Sequence, residues 1–358
     1  MKKMEYSIID NAPMNTHFAA VNSGRGFISY FSEVFGNEKI KRRYIIKGGP
    51  GTGKSSFMKR VADFAEERGR EVEYYRCSSD PASLDGIIID GSVAVLDGTA
   101  PHVYEPSLVG VEDEIVNLGV FWDADRLYCR YNEIAALSAV RSAIYSKVYR
   151  FLSAAMNVSE INGALADKAL DREKLRSAVS RLLRQIRTGR EFRLEYGFVN
   201  AIGMSGLAHI SSFEKKAKKL YLVMDSYGLG WRFLSEVVDG AMEKKARVRI
   251  SYSPLEPDKP DGVYFPDDGV AFVLSDESIE GAARVNMNRF IDCAAIDGVK
   301  AEYRHNRRLY EALMTAAVDA LSEAGRYHFE LEDIYKACMD FEAEKCFIES
   351  FCREHFDK

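Results

Sequence analysis

The chain has 358 residues, 47% of them hydrophobic and 29% charged, with a formal net charge of −5. That length allows two domains with sizeable cores, and the composition excludes disordered, collagen-like and disulfide-stapled classes. The balance of 49 basic against 54 acidic residues argues against a dedicated nucleic-acid partner.

The opening stretch "MKKMEYSIIDNAPMNTHF" carries Lys2 and Lys3 but no long apolar run, so no signal peptide is expected. No segment reaches the roughly 18 apolar residues of a membrane span, so no membrane partner is expected either. Cys77, Cys129, Cys293, Cys338, Cys346 and Cys352 show no CxxC spacing and read as reduced thiols of a cytoplasmic protein.

Tyr44, Ile45 and Ile46 form a β-branched and aromatic run, read as a buried strand. After the loop that follows, Phe57, Val61 and Phe64 recur at helical spacing, and Gly69 stops the helix. Between strand and helix lies Gly48-Gly49-Pro50-Gly51-Thr52-Gly53-Lys54-Ser55, followed by Ser56. This is the GxxxxGK[ST] pattern, Walker A, in the context that pattern requires. Its glycines let successive N–H groups turn inward on a phosphate, and the helix N-terminus adds its dipole. Lys54 is the candidate catalytic cation for the β- and γ-phosphates, and the Ser55 hydroxyl is a candidate Mg²⁺ ligand. Residues 48–56 together are the expected ATP-binding segment.

Val72 to Cys77 read as a second strand and Val93 to Leu96 as a third. Asp97, at the carboxyl end of the third, has the place of a Walker B carboxylate, catalytic and Mg²⁺-holding. A turn-capping aspartate in "DG" is the plainer reading. Asp80 and Asp85 follow the second strand and would either orient a substrate or cap turns. His102 in "TAPH" is a further candidate, though a lone histidine is more often structural.

Helical sequence follows. In 125–158, Ala135, Leu137, Val140, Ile144, Val148 and Leu152 would line one side of a helix. A second helix is expected over 171–189, with Asp171 as N-cap and Gly189 as stop. Its arginines (172, 176, 181, 184, 187, 190) read as a solvated face, with a nucleotide-reaching arginine as the sharper alternative. The stretches 307–325 and 331–356 are expected as two more helices.

A repeat then appears. At constant spacing Tyr221 falls on Tyr44, Gly228 on Gly51, Gly230 on Gly53 and Val270 on Val93. With one residue of slip Asp261-Gly262 falls on Asp85-Gly86, and upstream, across a loop five residues shorter, "SGLAHISSF" (205–213) matches "SGRGFISYF" (23–31). The second copy has lost the phosphate chemistry. Asp225 replaces Gly48, Trp231 replaces Lys54, Arg232 replaces Ser55 and Leu274 replaces Asp97. Tyr227 and Trp231 there suggest packing, or less plainly a stack on a planar ligand.

The stretches "GGPGTGKSSFMKR", "CSSDPASLDG", "LDGTAPHVYEP" and "EIVNLGVFWD" carry a resemblance over nearly the whole chain. The chain resembles a family of bacterial P-loop ATPases, mostly from Firmicutes, built from tandem P-loop modules. In that family the second module often keeps its own P-loop, and this chain departs there. The resemblance implies ATP or GTP binding and leaves the reaction open.

The expectation is therefore α/β: a P-loop NTPase-like parallel sheet flanked by helices, duplicated. Residues 1–124 would form the competent module, 125–192 a helical segment, 193–297 the degenerate module and 298–358 a C-terminal helical segment. The expected function is Mg²⁺-dependent ATP or GTP hydrolysis. A kinase acting on a small-molecule acceptor and a nucleotide-gated protein with a protein partner are the alternatives.

Overall fold

A computed structural model describes residues 6–9 and 12–357 of the chain. Residues 1–5, part of the opening read above as lacking a signal peptide, lie outside these, as does the side chain of Cys293. Among the described residues no helix is long and apolar enough to cross a membrane.

The fold is α/β and duplicated, with two six-stranded sheets of the same strand order. In space the first runs Thr16–Phe18, Val72–Arg76, Leu84–Ile89, Val93–Asp97, Arg42–Lys47, Asp113–Asn117. The second runs Arg193–Tyr196, Arg247–Tyr252, Pro260–Phe265, Val270–Leu274, Lys219–Met224, Ala283–Asn286.

The sheets are mixed, which corrects the expected parallel arrangement. Leu84–Ile89 is antiparallel to both its neighbours, and so is Pro260–Phe265. The cause is the length of the link. Ile89 pairs with Val93, so only three residues join the two strands, whereas a parallel crossover needs a dozen or more. Asp90 and Gly91 make the turn at φ of 49° and 63°. Sequence reading passed over the strand 84–89, although "IIIDGSV" joins two apolar runs through a Asp-Gly turn, a strong hairpin signal.

The hairpins that precede each module correct the repeat alignment. Ser23 pairs with Gly26 and Gly203 with Gly206, so Gly206 is the counterpart of Gly26, two places from the sequence match. Both glycines sit at positive φ, 96° and 111°, where a side chain would strain the turn.

Each module continues into a helix of 37 residues, Tyr131–Asp167 and Lys300–Lys336. The two helices are antiparallel. Arg141 meets His328 at one end (3.1 Å), and Asn162 Nδ2 donates to the Tyr303 carbonyl at the other (3.3 Å). Ile144, Val148, Leu152 and Ala155 pack against Met314, Ala317, Leu321 and Ala324 in the seam. Ala135 and Val140, expected on the same stripe, are exposed, because they turn away from the side on which Ile134 and Leu137 pack with Ile334. The expected break between 325 and 331 is absent. Gly325 stays helical because Met204 packs against it, and a methyl group there would stand 2.8 Å from the Met204 sulfur.

The crossing helices exchange the last element of each half. Helix Phe341–Phe356 packs Ile348, Phe351, Cys352 and Phe356 on Phe57, Met58 and Val61 of the first module. Helix Arg172–Leu182, capped by Asp171 as expected but ending before Gly189, packs Leu175 and Val179 on Phe233, Leu234 and Val237 of the second. Arg172 pairs with Asp167, and Arg176 with Glu236 on the helix it packs against. Main-chain bonds fasten both exchanges. Asp123 N–H donates to Cys338 O and Asp340 N–H to Phe121 O (each 2.8 Å). Asp171 N–H donates to Phe290 O (2.7 Å) and Asp292 N–H to Ala169 O (2.9 Å).

Truncating Phe351 to Ala should cost about 3–5 kcal/mol in denaturant unfolding, the range for a buried phenylalanine. Deleting 341–357 should speed amide exchange in helix Lys54–Glu66 and leave helix Gly230–Glu243 unchanged. Equal acceleration in both helices would contradict the exchange.

Candidate functional site

Strand Arg42–Lys47 is buried between Val93–Asp97 and Asp113–Asn117, parallel to both. Ile46 pairs with Asp97, so the strand leads its loop out beside that carboxylate. The helix begins at Lys54, with Gly53 as N-cap at φ 80° and Gly51 at φ 68°. Lys54 Nζ donates to the carbonyls of Gly48 (3.1 Å) and Gly49 (2.8 Å) and lies 3.7 Å from Asp97 Oδ2. Asp97 Oδ1 accepts from the Thr99 N–H (2.8 Å) and hydroxyl (2.5 Å), which leaves Oδ2 facing the lysine. Ser55 Oγ accepts from Leu84 N–H at 3.0 Å, tying the loop to the unforeseen strand. Thr52 closes the loop on the Gly49 carbonyl (2.9 Å), Pro50 is partly exposed and Ser56 is exposed on the helix.

The loop is covered by chain that follows the second module. A methyl group at Gly51 would stand 2.6 Å from the Glu332 carbonyl oxygen, and one at Gly49 would stand 2.9 Å from the Tyr335 ring. At Gly53 it would run into the Glu344 carboxylate. Glu344 is buried and its Oε1 has no hydrogen-bond partner. Burial pushes its carboxyl above the usual range, and Arg60 draws it part of the way back. Sequence reading missed Glu332, Tyr335 and Glu344 because no local pattern links them to a loop some 290 residues earlier.

The second copy uses a carboxylate differently. Asp225 Oδ1 accepts from Tyr227 N–H (3.0 Å) and Oδ2 from Gly230 N–H (2.6 Å). Two main-chain donors of this loop are thus held by its own side chain. Trp231 stands where the first copy has Lys54, with the Arg232 guanidinium 3.9 Å over its ring. Arg232 Nε in turn donates to Asp167 Oδ1 (3.0 Å). Tyr227 meets the edge of Tyr303 at 5.6 Å, and Leu274 occupies the strand position of Asp97. Both aromatic rings are engaged in packing.

Of the remaining candidates, Asp80 caps a turn, accepting from Ala82 N–H (3.2 Å) and Ser83 Oγ (2.7 Å). Asp85 and His102 are brought together, Oδ2 to Nε2 3.3 Å, and both are buried. Burial pushes the Asp85 carboxyl up to about 6, with His102 opposing. Cys77 lies beside them, its thiol pushed far up by burial and then by Asp85. No protein-family model matches the chain, and no curated protein or solved structure matches it.

The Glu344 carboxyl gives a pH test. Its folded pKa lies above the unfolded value of 4.5, so its burial carries little penalty below that pH. The penalty grows as pH rises through the folded value. Glu344→Gln should therefore raise the melting temperature at pH 8 and leave it nearly unchanged at pH 4. An equal change at both pH values would show that the Glu344 charge does not bear on stability.

Proposed function

We propose that the first module binds Mg²⁺-ATP or Mg²⁺-GTP through residues 48–56 and hydrolyses it. The observation that carries this reading is the contrast between the two loops. In the second, the Asp225 carboxylate satisfies the N–H groups of Tyr227 and Gly230. In the first, Gly48 offers no side chain for that role, and Lys54 and Asp97 stand beside the loop. A loop whose degenerate copy requires an internal anion is a loop built to accept one. The resemblance to tandem P-loop ATPases supports the same reading.

The residues present fit Mg²⁺: Asp97 Oδ2 has no hydrogen bond, and the Ser55 hydroxyl lies in the first turn of the helix. When bound, Mg²⁺ would neutralise charge on the phosphates. Lys54 Nζ would exchange the carbonyls of Gly48 and Gly49 for phosphate oxygens, a small movement for a flexible side chain. The main-chain donors orient the triphosphate, which is most of what phosphoryl transfer asks of a protein.

The packing of Glu332, Tyr335 and Glu344 on the loop favours a second reading, a nucleotide-gated switch with slow turnover. Nucleotide on the loop and the tail against it would then be coupled, each biasing the other.

Lys54→Ala should abolish phosphate release and weaken binding of labelled ATP by at least about tenfold, the loss of one buried charge-assisted contact. Equal phosphate release from both proteins would overturn the hydrolytic reading. Glu344→Gln should tighten ATP binding severalfold by removing a negative charge beside Gly53. Unchanged affinity, measured by calorimetry, would remove the switch reading.

A further inference from the structure

The same buried aspartate occurs in both sheets, and its surroundings differ. Asp85 precedes Gly86, which pairs with Tyr75, and Asp261 precedes Gly262, which pairs with Ser251. Asp261 is satisfied. Its Oδ1 accepts from Ser251 Oγ (2.5 Å) and its Oδ2 from Asn200 Nδ2 (2.7 Å). The counterparts of those donors in the first module are Tyr75, by the strand register, and Ala20, by the hairpin register. Neither bonds Asp85. Asp85 is 4% exposed, and its Oδ2 has no hydrogen-bond partner.

In place of those donors, Asp85 faces two metal-ligating side chains. The Cys77 sulfur, an Asp85 carboxylate oxygen and a His102 ring nitrogen lie within 4.8 Å of one another. His102 Nε2 is 3.3 Å from Asp85 Oδ2 and not aligned as a hydrogen bond. Ligand atoms of a tetrahedral zinc site, at bonds of 2.0–2.3 Å, stand about 3.3–3.7 Å apart. One pair already has that spacing, and the sulfur needs to close by at most about 1.5 Å. The imidazole is fixed by packing, stacked on Phe31 at 4.6 Å and set edge-on to Phe27 at 5.0 Å, with Nδ1 buried and without a hydrogen-bond partner. Cys77 is partly exposed, which gives an ion a way in.

We propose that Cys77, Asp85 and His102 form a site for one Zn²⁺ or similar d-block dication, built from other ligands than the neighbouring Ser55 and Asp97 that would hold Mg²⁺. Thiolate and imidazole select such an ion over Mg²⁺ or Ca²⁺, which take oxygen ligands. Charge supports the same choice. A buried carboxylate with one oxygen left without a hydrogen bond is costly, whereas thiolate, carboxylate, neutral imidazole and a dication sum to zero. Three protein ligands leave a fourth position for water or a ligand oxygen, the pattern of an open rather than a closed zinc site.

The test uses the full chain, stripped with chelator and titrated with Zn²⁺ against a chromogenic competitor, and separately with Co²⁺. The native protein should bind one Zn²⁺ per chain with a Kd below about 1 μM. The Co²⁺ form should show a thiolate charge-transfer band. Cys77→Ser, Asp85→Asn and His102→Ala should each weaken Zn²⁺ binding by more than about a hundredfold, beyond the 10–100-fold loss of a supporting residue. Cys129→Ser, at an exposed thiol, and Asp261→Asn, in the second copy, should leave it unchanged. Should a site variant fail to fold, the native Co²⁺ spectrum still decides, because bound cobalt without a thiolate band overturns the proposal. So does native protein that takes up no zinc, or retention of full affinity by Cys77→Ser or His102→Ala. None of these readouts depends on ATP, so the fate of the nucleotide reading does not affect them.

Discussion

The two long helices run past each other in opposite directions, and this crossing decides what each half of the molecule is made of. A helix of 37 residues is about 55 Å long, enough to carry the chain from one sheet to the other. Each half therefore completes its partner's core. Phe351 and Phe356 lie against Phe57 and Tyr44, and Leu175 and Val179 lie against the second module's helix. Neither sheet is fully covered by its own half of the sequence. A second tie joins the sheets directly. Arg249 of the second sheet bonds Glu73 of the first and also Glu195 (3.0 Å), a charge cluster too buried to be left unpaired.

The crossing also explains the cover on the glycine-rich loop. Whatever follows Lys300–Lys336 must dock on the first module, and the docking edge is the one that presents the loop. Tyr335 and Glu344 fit against it only because Gly49, Gly51 and Gly53 have no side chains. Gly51 and Gly53 thus serve two demands at once, main-chain conformation at positive φ and close approach of another segment, and Gly49 serves the second. In the second copy the counterpart region is held by Leu175 and Val179, and the loop has turned inward on Asp225. One architecture supports two electrostatic solutions, a loop with a nearby lysine and a loop with an internal carboxylate.

Much of the local structure was legible. The strand at 42–47, the helix from Lys54, the strand ending at Asp97 and the cap at Asp171 follow from apolar spacing and capping chemistry. The repeat was legible in Tyr44 and Tyr221, Val93 and Val270, Asp85 and Asp261, which occupy matching places in the two sheets. The strand 84–89 is hard to read because an all-buried apolar run carries no alternation. The hairpin match was two residues out because Ser-Gly occurs in both copies and outweighed the pairing register. The break expected near Gly325 fails because helix propensity there yields to packing against Met204.

The sequence by itself determined the strand 42–47, the helix from Lys54, the strand ending at Asp97 and the chemistry of the loop between them, since these depend on residues within a turn or two of one another. It also determined that the second loop differs in charge, because Asp225, Trp231 and Leu274 are read directly. The tertiary structure alone decided which half covers which, that Glu344 meets Gly53, and that Cys77, Asp85 and His102 share one corner. The reason is that closing a loop costs entropy growing only slowly with its length, so the chain can join residues hundreds of positions apart wherever packing favours it. No local pattern records that choice.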